Sequence, residues 1–244
     1  SKLRQAATQT PVCLSGMDLI ESVTYGKGMS DQRYDIAIIG GGPTGASLAL
    51  GLAQLELDVA VIDARDASAK RLPDGRNFAI VTGSWRLLRS LGVTETLLSD
   101  SQPLLGLEAI DGGTHVLGQP SVLFTPEDLD SADPDEPLGH MVRAEPLQAA
   151  LDQALAAHPR ITSFAPEVFE TLTAQPGCVS LTLKSGKRLE AGLLIGADGM
   201  RSPVRQALGI ATEGRDYGKS VLTANVSLSE PHEGIARLLF MTEG

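Results

Sequence analysis

Gly40, Gly42 and Gly45 are spaced G-x-G-x-x-G, and Asp63 follows the first of them by about 20 residues. Glycine at position 40 lets the chain turn sharply. At Gly42 it removes the side chain that would hold a pyrophosphate off the backbone, and at Gly45 it lets a helix lie close to a strand. A helix opening at Pro43 and Thr44 presents unpaired N–H groups and a positive dipole end to a phosphate. Asp63 stands where a carboxylate meets a ribose hydroxyl, and it would repel a 2′-phosphate. Together these residues predict a dinucleotide site with an unphosphorylated ribose.

The flanking pattern supplies the elements such a site needs. Residues 34–39, Tyr34-Asp35-Ile36-Ala37-Ile38-Ile39, read as a buried strand. A helix follows over about residues 43–55, with Ala49 and Ala53 continuing the small face begun at Gly45. Residues 59–62 form a second strand that ends on Asp63. A glycine-rich turn in some other α/β protein would explain the glycines but not the acid. FAD and NAD both fit.

Composition removes other classes. The chain has 244 residues with a net charge of −10, which suits neither phosphate-backbone binding nor docking on anionic lipid. Cys13 and Cys178 make no metal-type pair, and the four histidines do not cluster, so no metal site is expected. No apolar run is long enough for a membrane span. The thiol usage suits a reducing, cytoplasmic setting. Residues 1–33 read as a tail, with Met29 a natural start before the first strand.

After a polar loop at 64–75, a helix is expected over 84–91, with Trp85, Leu88 and Leu91 on its packing face and Gly92 ending it. Residues 106–110 and 114–117 read as a hairpin, and 124–139 as an acidic, proline-rich surface loop. Arg143 precedes a helix over 145–158 with a Leu147, Leu151 and Leu155 stripe. Residues 161–164 read as a strand. Residues 167–172, 179–183 and 187–191 read as a meander, followed by a separate buried strand at 193–195. That strand runs into Gly196-Ala197-Asp198-Gly199, with a short helix opening at Arg201 to Arg205. A last alternating strand is expected over 220–228.

Three of these segments resemble the flavoprotein monooxygenases of the aromatic-hydroxylase type. They are Gly40 to Gly45 with Asp63, Gly196-Ala197-Asp198-Gly199 with Arg201, Ser202 and Arg205, and Arg143 with Leu147 and Leu151. Asp74 and Arg76, Ser84, Leu91-Gly92 and His232-Glu233-Gly234 are similar to the branch that hydroxylates ubiquinone precursors. The resemblance covers about residues 34–244. It implies that Gly40, Gly42, Pro43, Thr44 and Gly45 hold the FAD pyrophosphate and Asp63 the adenosine ribose. It further implies that Gly196, Asp198 and Gly199 meet the ribityl side, and that Arg76 and Arg143 bring positive charge. Asp198 could equally cap the next helix. NAD(P)H would be the co-substrate and a flavin C4a-hydroperoxide the oxygen donor, with no residue of this chain singled out as catalytic. A rival reading of His232 as a contact to a phenolic oxygen competes with a structural or surface role, which the residue pattern favours.

The fold expected from the resemblance is α/β. A Rossmann-like FAD-binding domain (34–103 and 140–215) would be interleaved with a partial β-sheet substrate domain (104–139 and 216–244). The family's Gly-Asp-Ala-like turn is not found after Ser220, so the resemblance implies truncation at the C-terminus. Such a fragment is expected to bind FAD weakly or not at all and not to hydroxylate. An open edge at 220–228 would invite a homodimer. The substrate would be a small aromatic molecule; a prenylated one would imply peripheral contact with the inner membrane. Other readings stay open: an NAD-dependent dehydrogenase, a flavoprotein reductase or epoxidase, and a flavin-fold binding protein without turnover.

Overall fold

The two buried runs become adjacent parallel strands, β1 (Gln32–Ile39) and β2 (Val59–Ile62), in the computed structural model, which describes residues 32–66, 75–113, 120–129, 133 and 135–241. Ile36, Ile38, Val59 and Val61 pack on one side of the sheet, and Ala37, Ile39, Ala60 and Ile62 on the other. This is the split that a two-residue period imposes on strands covered on both faces. Between them runs α1 (Pro43–Gln54), which buries Gly45, Ala46, Ala49 and Ala53 against the strands. Small side chains bring the helix axis close to the sheet, and this fixes where its N-terminus sits.

The chain continues through β3 (Asn77–Val81), α2 (Thr82–Ser90), a 3-10 segment at Thr94–Asp100, β4 (Ser101–Leu104), β5 (Gly106–Asp111), β6 (Ser121–Phe124) and β7 (Gly139–Arg143). It then forms α3 (Ala144–Ala157), β8 (Ile161–Phe164), β9 (Phe169–Gln175), β10 (Cys178–Leu183), β11 (Arg188–Gly196), α4 (Pro203–Ala207) and β12 (Ile235–Phe240). The principal sheet has the order β8-β2-β1-β11-β10-β9. Its first four strands are parallel and the last two antiparallel. One face carries α1 and α3, whose Leu147, Leu151 and Leu155 stripe is buried in the same core as Trp85, Leu88 and Leu91 of the α2 region. The Trp85 ring stacks on His140 at 3.8 Å, so this tryptophan is a packing residue. A second sheet has the order β3-β7-β4, and a third, β12-β5-β6, is built from 106–111, 121–124 and 235–240.

Gly92 ends α2 with φ +73°, its N–H donating to Arg89 O. Left-handed backbone costs an L side chain about 1–2 kcal/mol. Gly92→Ala is therefore expected to lower unfolding free energy by about 1 kcal/mol in urea titration, leaving any ligand affinity unchanged.

Four local expectations are changed. The strands expected at 187–191 and 193–195 are one strand, β11, because the parallel register with β1 holds across Gly192, from Tyr34 opposite Ala191 to Ile36 opposite Leu193. Residues 188–191 of β11 pair with β10 on one side, and its length pairs with β1 on the other. The partner of β5 is β6, inside a stretch read partly as loop, while residues 114–119 lie outside the described residues. No strand forms over 220–228. Val221 and Leu222 are 88% and 95% exposed, so neither parity has a surface to bury against, and alternation alone makes no strand. The open edge on which the homodimer expectation rested is therefore absent at those residues. The strand forms later, as β12, whose residues run parallel to β5. The tail at residues 1–31, Asp74 and residues 114–119 lie outside the described residues.

Candidate dinucleotide site

The β1–α1 turn meets the end of β11 at its first glycine. Gly40 has φ +104°, and a Cβ there would come within 2.6 Å of Ala197 C and 2.9 Å of Asp198 N. Ala197 N–H donates to Ile39 O at 2.7 Å. Gly40 to Gly45 and Gly196 to Gly199, far apart in sequence, are thus in contact through backbone at the C-terminal ends of parallel strands. Gly45 is equally constrained, because its Cβ would overlap Gly40 O. Gly42 differs: a Cβ there would meet nothing within 4 Å. The space the motif needs for a phosphate is open, beside the start of α1. Gly42 caps that helix without a side-chain hydrogen bond, Pro43 occupies N1, and no acid stands in the first turn. Orphan N–H donors in a helix turn that carries no acid are what an anionic pyrophosphate requires.

Asp63 ends β2 and is buried. Its Oδ2 accepts the Gly41 N–H at 2.6 Å, and its Oδ1 accepts the Arg65 N–H at 2.8 Å. The Arg65 guanidinium pairs with the same carboxylate through Nε and Nη2. Burial alone would raise the carboxyl; the Arg65 hydrogen bonds and charge and the Gly41 N–H outweigh it and hold Asp63 below its ordinary 3.8. A carboxylate offers about four lone-pair sites. An incoming ribose hydroxyl must therefore share Asp63 with Arg65.

Arg65 Nη2 also donates to Gly41 O at 2.6 Å, and Gln148 Nε2, on α3, donates to the same oxygen at 2.9 Å. Gln148 is 5% exposed and also donates to Asp152. Gly41 is the x of the motif, yet a Cβ there would lie 2.5 Å from Asp63 Oδ2. Sequence reasoning passed over Gly41, Arg65 and Gln148. The available signals were a run of three glycines, a cation two residues after the ribose acid, and an amide directly after Leu147.

At the second fingerprint, Asp198 Oδ2 accepts Val204 N–H at 2.9 Å and Ser202 Oγ accepts Arg205 N–H. Ser202 is therefore the N-cap of α4, and Asp198, outside the helix, holds a further N–H of its first turn, a role compatible with a ligand contact through Oδ1. Gly196 packs on Val204, and Gly199, φ +80°, borders open space. Arg76 and Arg143 are neighbours at the ends of β3 and β7: Asn77 pairs with Arg143, and Ala144 N–H donates to Arg76 O. The Arg143 guanidinium pairs with Asp100, and that of Arg76 lies 6.0 Å over the Phe78 ring. Arg143 opens the helix that carries Gln148, about 8 Å further along its axis. His232 is exposed, and its Nδ1 accepts Gly234 N–H. No metal-type cluster occurs among the described residues.

The profile of a family described as FAD binding domain matches residues 33–242. The chain is 35% identical over 219 residues to ubiquinone hydroxylase UbiL of Rhodospirillum rubrum, covering 89% of this chain and 49% of the relative. It is 38% identical over 203 residues to the 3-demethoxyubiquinol 3-hydroxylase of Escherichia coli, covering 81% and 49%. This chain thus spans about half the length of these relatives. Among solved structures, PqsL, described as a probable FAD-dependent monooxygenase from Pseudomonas aeruginosa, superposes with TM-score 0.60 at 20% identity, over 76% of this chain and 48% of that one. The anhydrotetracycline hydroxylase OxyS of Streptomyces rimosus gives 0.59 at 23%, over 76% and 36%. These two share the fold.

Proposed function

This chain belongs to the FAD binding domain family, and from that premise we propose that it forms the cofactor-binding part of an FAD-dependent hydroxylase acting on an aromatic ring of the ubiquinone-precursor type. The observation that carries the reading is the contact of the two glycine fingerprints around the open space at Gly42. A dehydrogenase motif alone accounts for the first fingerprint and not for the second. Similarity to a ubiquinone hydroxylase and a 3-demethoxyubiquinol 3-hydroxylase supports the proposed substrate class.

In this reading the N–H groups of Gly42, Thr44 and Gly45 hold the pyrophosphate at the start of α1, with Pro43 setting the helix entry. Asp63, shared with Arg65, holds the adenosine ribose. Asp198 and Gly199 border the ribityl side, with Gly40 and Gly196 allowing the two turns to touch. Arg76 and Arg143 supply positive charge from the ends of β3 and β7. Residues 34–103 and 140–215 act as the FAD-binding domain; 104–139 and 216–244, including the β5, β6 and β12 sheet, belong to the substrate side. Bound flavin would supply the redox and oxygen chemistry. Overall, a ring C–H, O2, NAD(P)H and a proton become a ring C–OH, water and NAD(P)+. A prenylated substrate would bring the protein from the cytoplasm to a membrane surface, although no described helix is long and apolar enough to cross one.

The test uses a protein of the relatives' full length, supplied with FAD, NADH or NADPH, and a ubiquinone-precursor phenol under 18O2. One labelled oxygen in the product and a flavin absorption band are expected. Reversible hydride transfer to NAD without flavin or oxygen uptake would replace this reading with a dehydrogenase.

A further inference from the structure

Gly41 is the most heavily bonded residue of the turn, on the peptide before it and on the peptide after it. Its N–H is held by Asp63, and its carbonyl accepts from both Arg65 and Gln148. The Gly41–Gly42 peptide is trans, since the one cis bond among the described residues is Ala165–Pro166. In a trans peptide the carbonyl of one residue and the N–H of the next point in opposite directions. Fixing Gly41 O toward Gln148 and Arg65 therefore aims Gly42 N–H away from them. We propose that Gln148 is a positioning residue: from α3, it holds the Gly41–Gly42 plane so that the Gly42 N–H is aimed at a ligand pyrophosphate before the ligand arrives.

The side chain suits this work. Gln148 is almost fully buried, and its amide is held by a second acceptor, Asp152 Oδ1 at 2.8 Å. A buried amide satisfied on one side by a helix neighbour and on the other by the turn has little rotamer freedom. Glycine at both 41 and 42 makes the opposite peptide orientation sterically accessible, so the turn needs an external hold. Arg65 alone offers a weaker one, because its side chain is 37% exposed and is engaged with Asp63. Donors fixed in advance bind without a reorganisation cost. The inference rests on the glycine turn being the pyrophosphate cradle.

The test titrates ADP, adenosine and FAD into this chain and follows the amides of selectively 15N-labelled glycines. Gln148→Met keeps length and volume but removes the donor. Gln148→Glu replaces the donor with a charge facing Gly41 O. Loss of one hydrogen bond corresponds to a fall of about fivefold in ADP and FAD affinity for Gln148→Met, with a larger fall for Gln148→Glu. Adenosine affinity should stay at the wild-type value and the shift of the Gly42 amide on adding ADP should shrink, while the unfolding midpoint of the ligand-free chain falls in both variants, more for Gln148→Glu, because buried acceptors lose their donor. Wild-type ADP affinity in both variants, or an equal loss for ADP and adenosine, overturns the proposal. Gly42→Val separates the two claims. If it retains wild-type ADP affinity, the cradle reading fails and the inference with it; if it loses ADP while Gln148→Met does not, the inference alone fails.

Discussion

Gly42→Val is expected to fold as the parent does and to bind FAD about a hundredfold more weakly, a loss of ~2.8 kcal/mol at about 1.4 kcal/mol per decade. A Cβ at Gly42 meets nothing within 4 Å, so the ligand-free chain has no reason to rearrange. The added atoms would occupy the space where the pyrophosphate approaches the backbone. Gly45→Ala, three residues on, is expected to behave in the opposite order. Its Cβ would overlap Gly40 O, so the turn itself must move. Overpacking of this kind costs about 1–3 kcal/mol, and backbone is the part least able to yield. Urea unfolding of ligand-free protein with FAD titration tells the two apart: Gly42→Val should leave the unfolding midpoint in place, and Gly45→Ala should lower it. A Gly42→Val chain that holds FAD as tightly as wild type would remove this turn from the cofactor site.

Asp63→Asn should destabilise the ligand-free chain as well as weaken FAD binding. The carboxylate accepts the Gly41 N–H, the Arg65 backbone N–H and the Arg65 guanidinium. An amide nitrogen placed among those donors leaves at least one of them unpaired. A hydrogen bond to a charged group is worth about 1.5–3 kcal/mol, and Arg65, partly exposed, recovers some of that from water. The pH dependence has a definite sign. The folded carboxyl is held below its ordinary 3.8, so the unfolded chain takes up this proton first as pH falls. Its stabilisation is fully present above about pH 4 and is lost as pH falls through the folded value. Wild type should therefore show a steeper acid loss of stability below pH 4 than Asp63→Asn, with the two curves converging at low pH. Parallel curves would mean that Asp63 is not held by Arg65 in solution.

Much of the principal sheet was legible because its signals are local. The buried runs at 36–39 and 59–62, the small face of Ala49 and Ala53, and the leucine stripe of α3 each follow from a repeat along the chain. The same holds for G-x-G-x-x-G, where each glycine answers a constraint its neighbours impose. The joining of 187–191 to 193–195 was not legible, because the glycine between them reads as a break until β1 is placed alongside. The choice of β6 as the partner of β5, and of β12 over residues 220–228, was decided by which strand had a neighbour. Alternation sets which way side chains face, while pairing depends on what lies beside the strand.

The residues alone determined that a strand, a glycine turn and a helix would present unpaired N–H groups to an anion, since φ freedom, helix polarity and strand periodicity are properties of short segments. Only the tertiary structure decided that Asp63 answers first to Arg65 and Gly41, that Gly40 touches Ala197, and that Gln148 reaches Gly41 O from α3. Apart from Asp63 and Arg65, which are two positions apart, those contacts join residues from 22 to 157 positions apart. Hydrogen bonds and van der Waals contacts act over a few ångströms in space, and separation along the chain carries no information about which of them will form.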